Sequence, residues 1–239
     1  HLASCASPKA YAKYPINTLK SGSIGTINAL GIAKKHNAKF FLASTSEIYG
    51  DPEVSPQKET YWGNVNTLGP RSMYDESKRF AESATHSYMS THGIRATIAR
   101  IFNTYGPNMQ IDDGRVVTNF IYQAINDKDI TIYGTGDQTR SFSFIEDTLD
   151  GLLRVINYEE SDVFNIGSEN EITIKFLAES IVTLTNSNSK IIFEDLPQND
   201  PKQRKPDLTK AKKLLGYKPN HTLEEGLKIT IDWIKKTYK

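Results

Sequence analysis

The chain predicts an α/β fold, a doubly wound parallel sheet joined to a smaller mixed α/β part. Three observations carry this reading. In the first half, helical patterns of some twenty residues alternate with short apolar runs, the order that parallel strands with right-handed crossovers require. The run AKFFLA at 38–43 is short and largely apolar, as in a buried strand. Beyond residue 105 the elements shorten and mix, as in a lobe interleaved with returns to the main sheet.

Each element follows from its local pattern. Residues 15–36 read as a helix, because Pro15 suits a first turn and Leu19, Ile24, Ile27, Leu30 and Ile32 recur near helical spacing. A strand at 38–43 follows. Residues 44–71 are polar and punctuated by Gly50, Pro52, Pro56, Gly63, Gly69 and Pro70; so long a loop inside a compact domain usually carries function. A helix at 72–92 stops at His92-Gly93, and 94–101 is the next strand. A helix near 115–127, short strands around 130–133 and 139–144, a helix at 146–157, a strand at 163–166 and a helix at 173–186 come next. The final helix, 222–238, has Leu223, Leu227, Ile231 and Ile234 on one stripe.

Composition narrows the function. The 239 residues are 38% hydrophobic and 24% charged, ordinary for a globular protein. Lysine and arginine number 29 against 28 acids, a net charge of +1, which gives no electrostatic reason to expect nucleic acid or an acidic membrane. No apolar run reaches the roughly 18 residues of a membrane span. The single cysteine, Cys5, excludes an intrachain disulfide and a multi-thiolate zinc site, and it reads as a buried small residue at a strand end. No metal site is expected.

Three polar groupings lie where a doubly wound sheet binds ligands, at the carboxyl ends of strands. Ser44-Thr45-Ser46-Glu47-Ile48-Tyr49-Gly50 directly follows the strand AKFFLA. Tyr74 and Lys78 open a helix four residues apart, hence on one face. An ammonium beside a phenol favours the phenolate, so Lys78 is expected to lower the Tyr74 pKa and create an acid/base group usable near neutrality. Arg100-Ile101-Phe102-Asn103-Thr104-Tyr105-Gly106-Pro107 ends the next strand. No glycine-rich dinucleotide turn precedes the first helix; Ser21-Gly22-Ser23-Ile24-Gly25 lies within a helical pattern and follows no strand.

Together these stretches resemble the extended short-chain dehydrogenases that modify nucleotide sugars, and the similarity is nearest to the UDP-glucuronate decarboxylases. HLAS at 1–4, STSEIYGDP at 44–52, YWGNVN at 61–66, YDESKR at 74–79, ARIFNTYGP at 99–107, DDGRVV at 112–117, YGTGDQTRSF at 133–142 and RKPD at 204–207 carry it, over essentially the whole chain. Thr-Ser-Glu in place of Thr-Asp-Glu separates the chain from the 4,6-dehydratases. Ser77 departs from the glycine usual in the decarboxylases, a change expected to leave the chemistry untouched.

The resemblance implies NAD-dependent conversion of UDP-glucuronate to UDP-xylose and carbon dioxide through a 4-keto intermediate, with a sibling dehydratase or epimerase, or an inactive fragment, as alternatives. Tyr74 would take the 4-hydroxyl proton, Lys78 would also hold the nicotinamide ribose, and Thr45 would share a bond with the 4-oxygen. Ser46 and Glu47 would handle water or protonate carbon 5, and Arg204 would engage the substrate carboxylate. Leu2, Ser4, Lys20, Thr104 and Arg115 resemble NAD contacts. Asn103, Val117, Thr118, Asn119, Phe120, Tyr133, Gln138 and Arg140 resemble contacts to the UDP portion.

The fold so implied is a Rossmann-like sheet lacking its first strands. Residues 1–110 would be the remainder of the NAD-binding domain, with returns near 141–166, and 111–239 mainly the UDP-sugar domain. Without the usual cofactor cradle these residues alone are expected to bind NAD poorly and turn over little. The helices at 15–36 and 72–92 resemble the pair that builds a homodimer interface. The expected compartment is the cytoplasm, or the Golgi where an N-terminal anchor precedes the chain.

Overall fold

A computed structural model describes residues 1–196 and 203–238. In chain order it contains α1 (Pro8–Lys13), α2 (Pro15–Lys20), a π-helical turn Ser21–Gly25, α3 (Thr26–Lys35), β1 (Phe40–Thr45), a 3₁₀ turn Ser46–Tyr49, α4 (Ser72–His92) and β2 (Ala96–Ile101). Then come β3 (Thr104–Tyr105), α5 (Val116–Ile125), β4 (Ile130–Tyr133), β5 (Thr139–Ser141), β6 (Ser143–Phe144), α6 (Ile145–Asn157), β7 (Asp162–Ile166) and β8 (Glu171–Thr173). The rest is α7 (Ile174–Thr185), β9 (Ile191–Glu194), β10 (Gln203–Arg204), α8 (Thr209–Leu215) and α9 (Leu223–Tyr238). None of the helices among the described residues is long and apolar enough to cross a membrane.

The principal sheet is parallel throughout, in the order β1-β2-β7, with Phe40 opposite Ala96 and Thr97 opposite Asp162. Leu42, Ala96, Ala99, Phe164 and Ile166 are buried within it, which is why these strands read as apolar runs. On the outer side of β1 the backbone of His1 makes two hydrogen bonds: its amine donates to Phe41 O (2.6 Å) and Ala43 N donates to His1 O (3.1 Å). One side of the sheet carries α3 and α4, whose core joins Leu30, Ala81 and Ala84 to Phe40 and Ile98. α6 and α8 add a second core around Val155, Phe164, Ala211 and Tyr217.

Gly22, in the π turn, decides how closely the first helices approach α4. A Cβ there would stand 2.6 Å from the Cβ of Ser77. Ser77, between Tyr74 and Lys78, therefore fits because position 22 has no side chain, and its hydroxyl turns back onto Tyr74 O (2.8 Å). α4 closes at Gly93, which takes φ 66° in the left-handed region and donates to Met89 O.

The second part packs α5, α7 and α9 around Phe120, Ile121, Leu177, Ile181 and Ile231, over the pairs β4–β9 and β10-β5-β8. It meets the principal sheet through β3–β6 and through residues 203–207. That segment runs beside β5 on one side and Gln57 on the other: Gln57 N donates to Lys205 O (2.8 Å), and Asp207 N to Gln57 O (2.8 Å).

Several elements lie outside the sequence expectation. α1, α8, β3, β8, β9 and β10 are two to seven residues long, too short for a hydrophobic period to register. Cys5 is corrected too. It sits partly exposed in the segment before α1 and not at a strand end, because the chain leaves the sheet after His1 to enter the Ser7-capped α1.

Candidate active site

Thr45 is the last residue of β1, and its hydroxyl accepts from Glu47 N (3.2 Å) to start the 3₁₀ turn. Strand end and turn together bury Thr45 and Ser46. Tyr74 and Lys78 stand four positions apart at the start of α4, and both side chains are buried facing β1. The Tyr74 hydroxyl is hydrogen-bonded to Thr45. Lys78 Nζ donates to Ala43 O (2.8 Å) and lies 5.9 Å from the centre of the Tyr74 ring. Beneath them Glu82 accepts from Ser44 Oγ (2.5 Å) and from Arg100 Nε (3.1 Å) and Nη2 (2.7 Å), tying α4 to β1 and β2.

Thr45, Tyr74 and Lys78 thus meet as their spacing predicts, yet the expected electrostatics do not follow. Burial, reinforced by the charges of Glu47 and Asp75, pushes the Tyr74 phenol above its ordinary value despite the Thr45 bond and the pull of Arg115. Lys78 is itself pushed down to about 8 by desolvation. In this arrangement its ammonium serves the Ala43 carbonyl, and burial is the largest influence on the phenol.

Arg204 reaches the same region from β10, 157 residues beyond Glu47. Its side chain is 2% exposed, its Nη1 donates to Glu47 Oε1 (2.5 Å) and its Nη2 to Gly50 O (3.0 Å). Gly50 holds that carbonyl in place with φ 64°, where a Cβ would lie 1.9 Å from Asn64 O. Arg71, just before α4, also reaches Glu47 Oε1 (2.8 Å). The two guanidinium groups outweigh desolvation and hold Glu47 down at about 2.

The site contains three residues that the motifs did not single out. Tyr11, on the short helix α1, stacks on Tyr74 with ring centres 5.3 Å apart. Arg71 shares Glu47 with Arg204. Asp75 is 6% exposed beside them, pushed up to about 7 by burial and then by Glu47, against the pull of Arg71 and Arg204. Arg71 and Asp75 are four apart across the helix start, a pairing that the i,i+4 rule could have found. A cavity of about 240 Å³ is lined by Glu47, Gly50, Asn64, Arg71, Asp75 and Arg204, among others, and by neither Tyr74 nor Lys78.

The remaining expected contacts are spread more widely. Thr104 and Arg115 line a second hollow of about 480 Å³ with Ser7, Gly106 and Asp113; Arg115 also pairs with Asp113 and donates to Ala6 O. Ser4 Oγ is buried without a partner, whereas Leu2 is 71% exposed and Lys20 is exposed. Val117 and Phe120 point into the core and Thr118 is fully buried; the α5 hydrogen-bond ladder begins at Asn119 N, which donates to Arg115 O, so of these three only Val117 and Thr118 keep first-turn N–H groups to offer a ligand. Asn103 and Asn119 are half-buried. Gln138 Nε2 donates to Tyr133 O (2.6 Å). Arg140 stands in register with Arg204 on the β5–β10 ladder, which links the two sets of residues. Among the described residues no group of His, Cys, Asp and Glu could hold a metal ion.

Comparison with known proteins agrees with this architecture. The GDP-mannose 4,6 dehydratase family model matches residues 1–230. UDP-glucuronic acid decarboxylase 1 of Xenopus tropicalis is 50% identical over 236 residues, 99% of this chain but 56% of that protein. The chain thus spans little more than half the length of this curated relative. UDP-glucose 4-epimerase of Thermotoga maritima, solved with UDP-glucose, superposes with a TM-score of 0.93 at 28% identity, over 100% of this chain and 77% of that one. UDP-glucuronic acid 4-epimerase of Bacillus cereus, solved with UDP-glucuronic acid and NAD, gives 0.85 at 28% identity, over 92% and 69%.

Proposed function

The chain belongs to the GDP-mannose 4,6-dehydratase family of nucleotide-sugar enzymes, and we propose that its parent protein decarboxylates UDP-glucuronate to UDP-xylose with NAD. One observation carries the reading. Arg204 is buried against Glu47 and Gly50 near the Tyr74–Thr45 pair, so a cation suited to a carboxylate sits beside a group suited to a sugar hydroxyl. The decarboxylase relatives and the UDP-glucuronic acid and NAD complex of the Bacillus cereus epimerase support it.

The chain's own residues divide the work. Tyr74, steered by Thr45, takes the proton of the 4-hydroxyl and returns it at the end; Lys78 supplies positive charge beside it. Once carbon 4 is a ketone, the carboxylate on carbon 5 belongs to a β-keto acid, and loss of carbon dioxide leaves its electron pair in an enolate. Arg204 and Arg71 hold the carboxylate before it leaves, while Glu47 and Ser46 order water at carbon 5. NAD, when bound, supplies the hydride acceptor and donor. The orphaned Ser4 hydroxyl and the hollow at Thr104 and Arg115 fit part of such a cofactor, and Leu2 and Lys20 join that set.

The UDP portion is assigned to Asn103, Asn119, Tyr133, Gln138 and Arg140 with the backbone N–H groups of Val117 and Thr118. Residues 1–110, with returns near 141–166, then serve the cofactor and 111–239 mainly the nucleotide sugar. A homodimer through α2, α3 and α4 is part of the proposal, supported by the exposed Ile16, Ile24 and Phe80. The test is product analysis of the full-length protein with UDP-glucuronate and NAD. UDP-xylose and carbon dioxide are expected in equal amounts; a 4-epimer formed without carbon dioxide would replace this reading with that of an epimerase.

A further inference from the structure

Decarboxylation consumes a proton. The substrate enters as a carboxylate, carbon dioxide leaves neutral, and the electron pair left in the enolate must become a C–H bond at carbon 5. One proton must therefore enter the site from solvent in every turnover. The Tyr74 proton cannot be that one, because it goes back to the 4-oxygen. Arginine does not give up protons near neutral pH, and Glu47 is held ionised by its two guanidinium partners.

The cavity beside Glu47 supplies what is lacking. Three buried polar atoms on residues that line it have no hydrogen-bond partner: Arg71 Nε, Arg204 Nε and Asp75 Oδ1. These atoms are buried in its walls, and the 240 Å³ between the polar side chains has room for a small cluster of water. Walls from the 50–71 loop, among them Asn64 and Asn66, connect that space with the polar surface. Resting on the decarboxylase reading above, we propose that Asp75 is the relay residue for this proton, which it takes from water in the cavity and passes through water held at Glu47 to carbon 5.

Charge supports the assignment. With Asp75 protonated, Glu47, Arg71 and Arg204 sum to +1 and receive the substrate carboxylate to reach neutrality. When carbon dioxide has left and carbon 5 has taken the proton, Asp75 is ionised and the four groups are again neutral. Reprotonation from the cavity resets the site. Asp75 titrates at about 7, raised by burial first, then Glu47, against Arg71 and Arg204, with Glu76 adding to the rise; Tyr11 also faces the cluster, and the carboxylate of Asp51 lines the cavity. Lys78 also titrates near neutrality, but its ammonium is on Ala43 O and it does not line the cavity.

The experiment is rapid-mixing kinetics on the full-length protein with UDP-glucuronate and NAD, following NADH as it forms and disappears. Asp75→Asn should leave NADH formation within about 3-fold and slow its disappearance, with UDP-xylose formation, by roughly 100-fold, as for loss of a placed proton donor. In the wild type the second phase should slow as pH rises through about 7; that limb should vanish in Asp75→Asn and return in Asp75→Glu. A structural role would slow both phases together and leave the pH dependence intact, and either result overturns the proposal. Should Asp75→Asn not fold, a wild-type second phase flat across neutrality overturns it alone. A wild type that releases no carbon dioxide overturns the decarboxylase reading itself, and this relay with it.

Discussion

The two halves of the site are built in opposite ways. Tyr74, Lys78 and Thr45 sit on one helix turn and one strand end that face each other, and low-dielectric surroundings dominate them: burial raises the phenol and lowers the ammonium. Glu47, Arg71, Arg204 and Asp75 come from a turn, a helix start and a two-residue strand far along the chain; direct ion pairs join the first three, with Asp75 raised by burial beside them. In the first half burial opposes ionisation of the phenol; in the second two cations are set against Glu47. A hydroxyl-to-ketone step suits the first, and handling of a carboxylate suits the second.

The most damaging way to probe this contrast is Tyr74→Phe. The phenylalanine keeps the stack on Tyr11 and loses the bond to Thr45, worth about 1 kcal/mol, so the melting temperature should barely move. Turnover should fall by about 10³-fold, within the range for a lost acid/base group. Steady-state kinetics and a thermal melt on the same preparation check both. A variant that retained a tenth of wild-type turnover would show that the first half does not carry the proton transfer.

Glu47→Gln attacks the other half and should show the reverse balance, with a clear stability cost beside the loss of activity. It leaves two buried guanidinium groups facing an amide, and removing one partner of a buried pair costs about 3 kcal/mol. The pH dependence follows from the sign of the shift. Glu47 sits at about 2 when folded against an ordinary 4.5, so its contribution is complete above 4.5 and is lost as pH falls toward 2. Denaturation midpoints from pH 7 downward should drop for the wild type through that window and drop less for the variant.

Legibility in the sequence divides along the same line. Tyr74 and Lys78 could be read because a helix puts residues four apart on one face, and Thr45 because a strand's carboxyl end is where ligands bind. β1 was legible as a short apolar run, and α4, β2 and α5 to α7 from the alternation of helical and strand patterns. Arg204 was legible only through family resemblance: β10 is two residues long, and nothing local says that it lies against Gly50 and Glu47. Tyr11 went unread because α1 has six residues and no period. Asp75 was in plain view inside the motif, but its character comes from burial among charges that only the tertiary fold assembles.

The smallest expected effect lies outside both halves, at the junction of α6 and α9. Asp147 Oδ1 accepts from Asn220 N (3.0 Å) and is 3.0 Å from His221 Nδ1, and Glu146 is 3.4 Å from His221 Nε2. The hydrogen bond to Asp147 raises the histidine above its ordinary value, helped by the charges of Asp147, Glu146 and Glu225. A raised folded pKa stabilises the protein below the unfolded value and loses that contribution as pH climbs through the folded one. The wild-type melting temperature should therefore decline slightly from mildly acidic to mildly alkaline pH, and His221→Gln should flatten the decline without altering turnover. This variant sharpens the comparison, because any pH dependence of activity that survives in it belongs to the two halves of the site and not to the anchoring of the last helix.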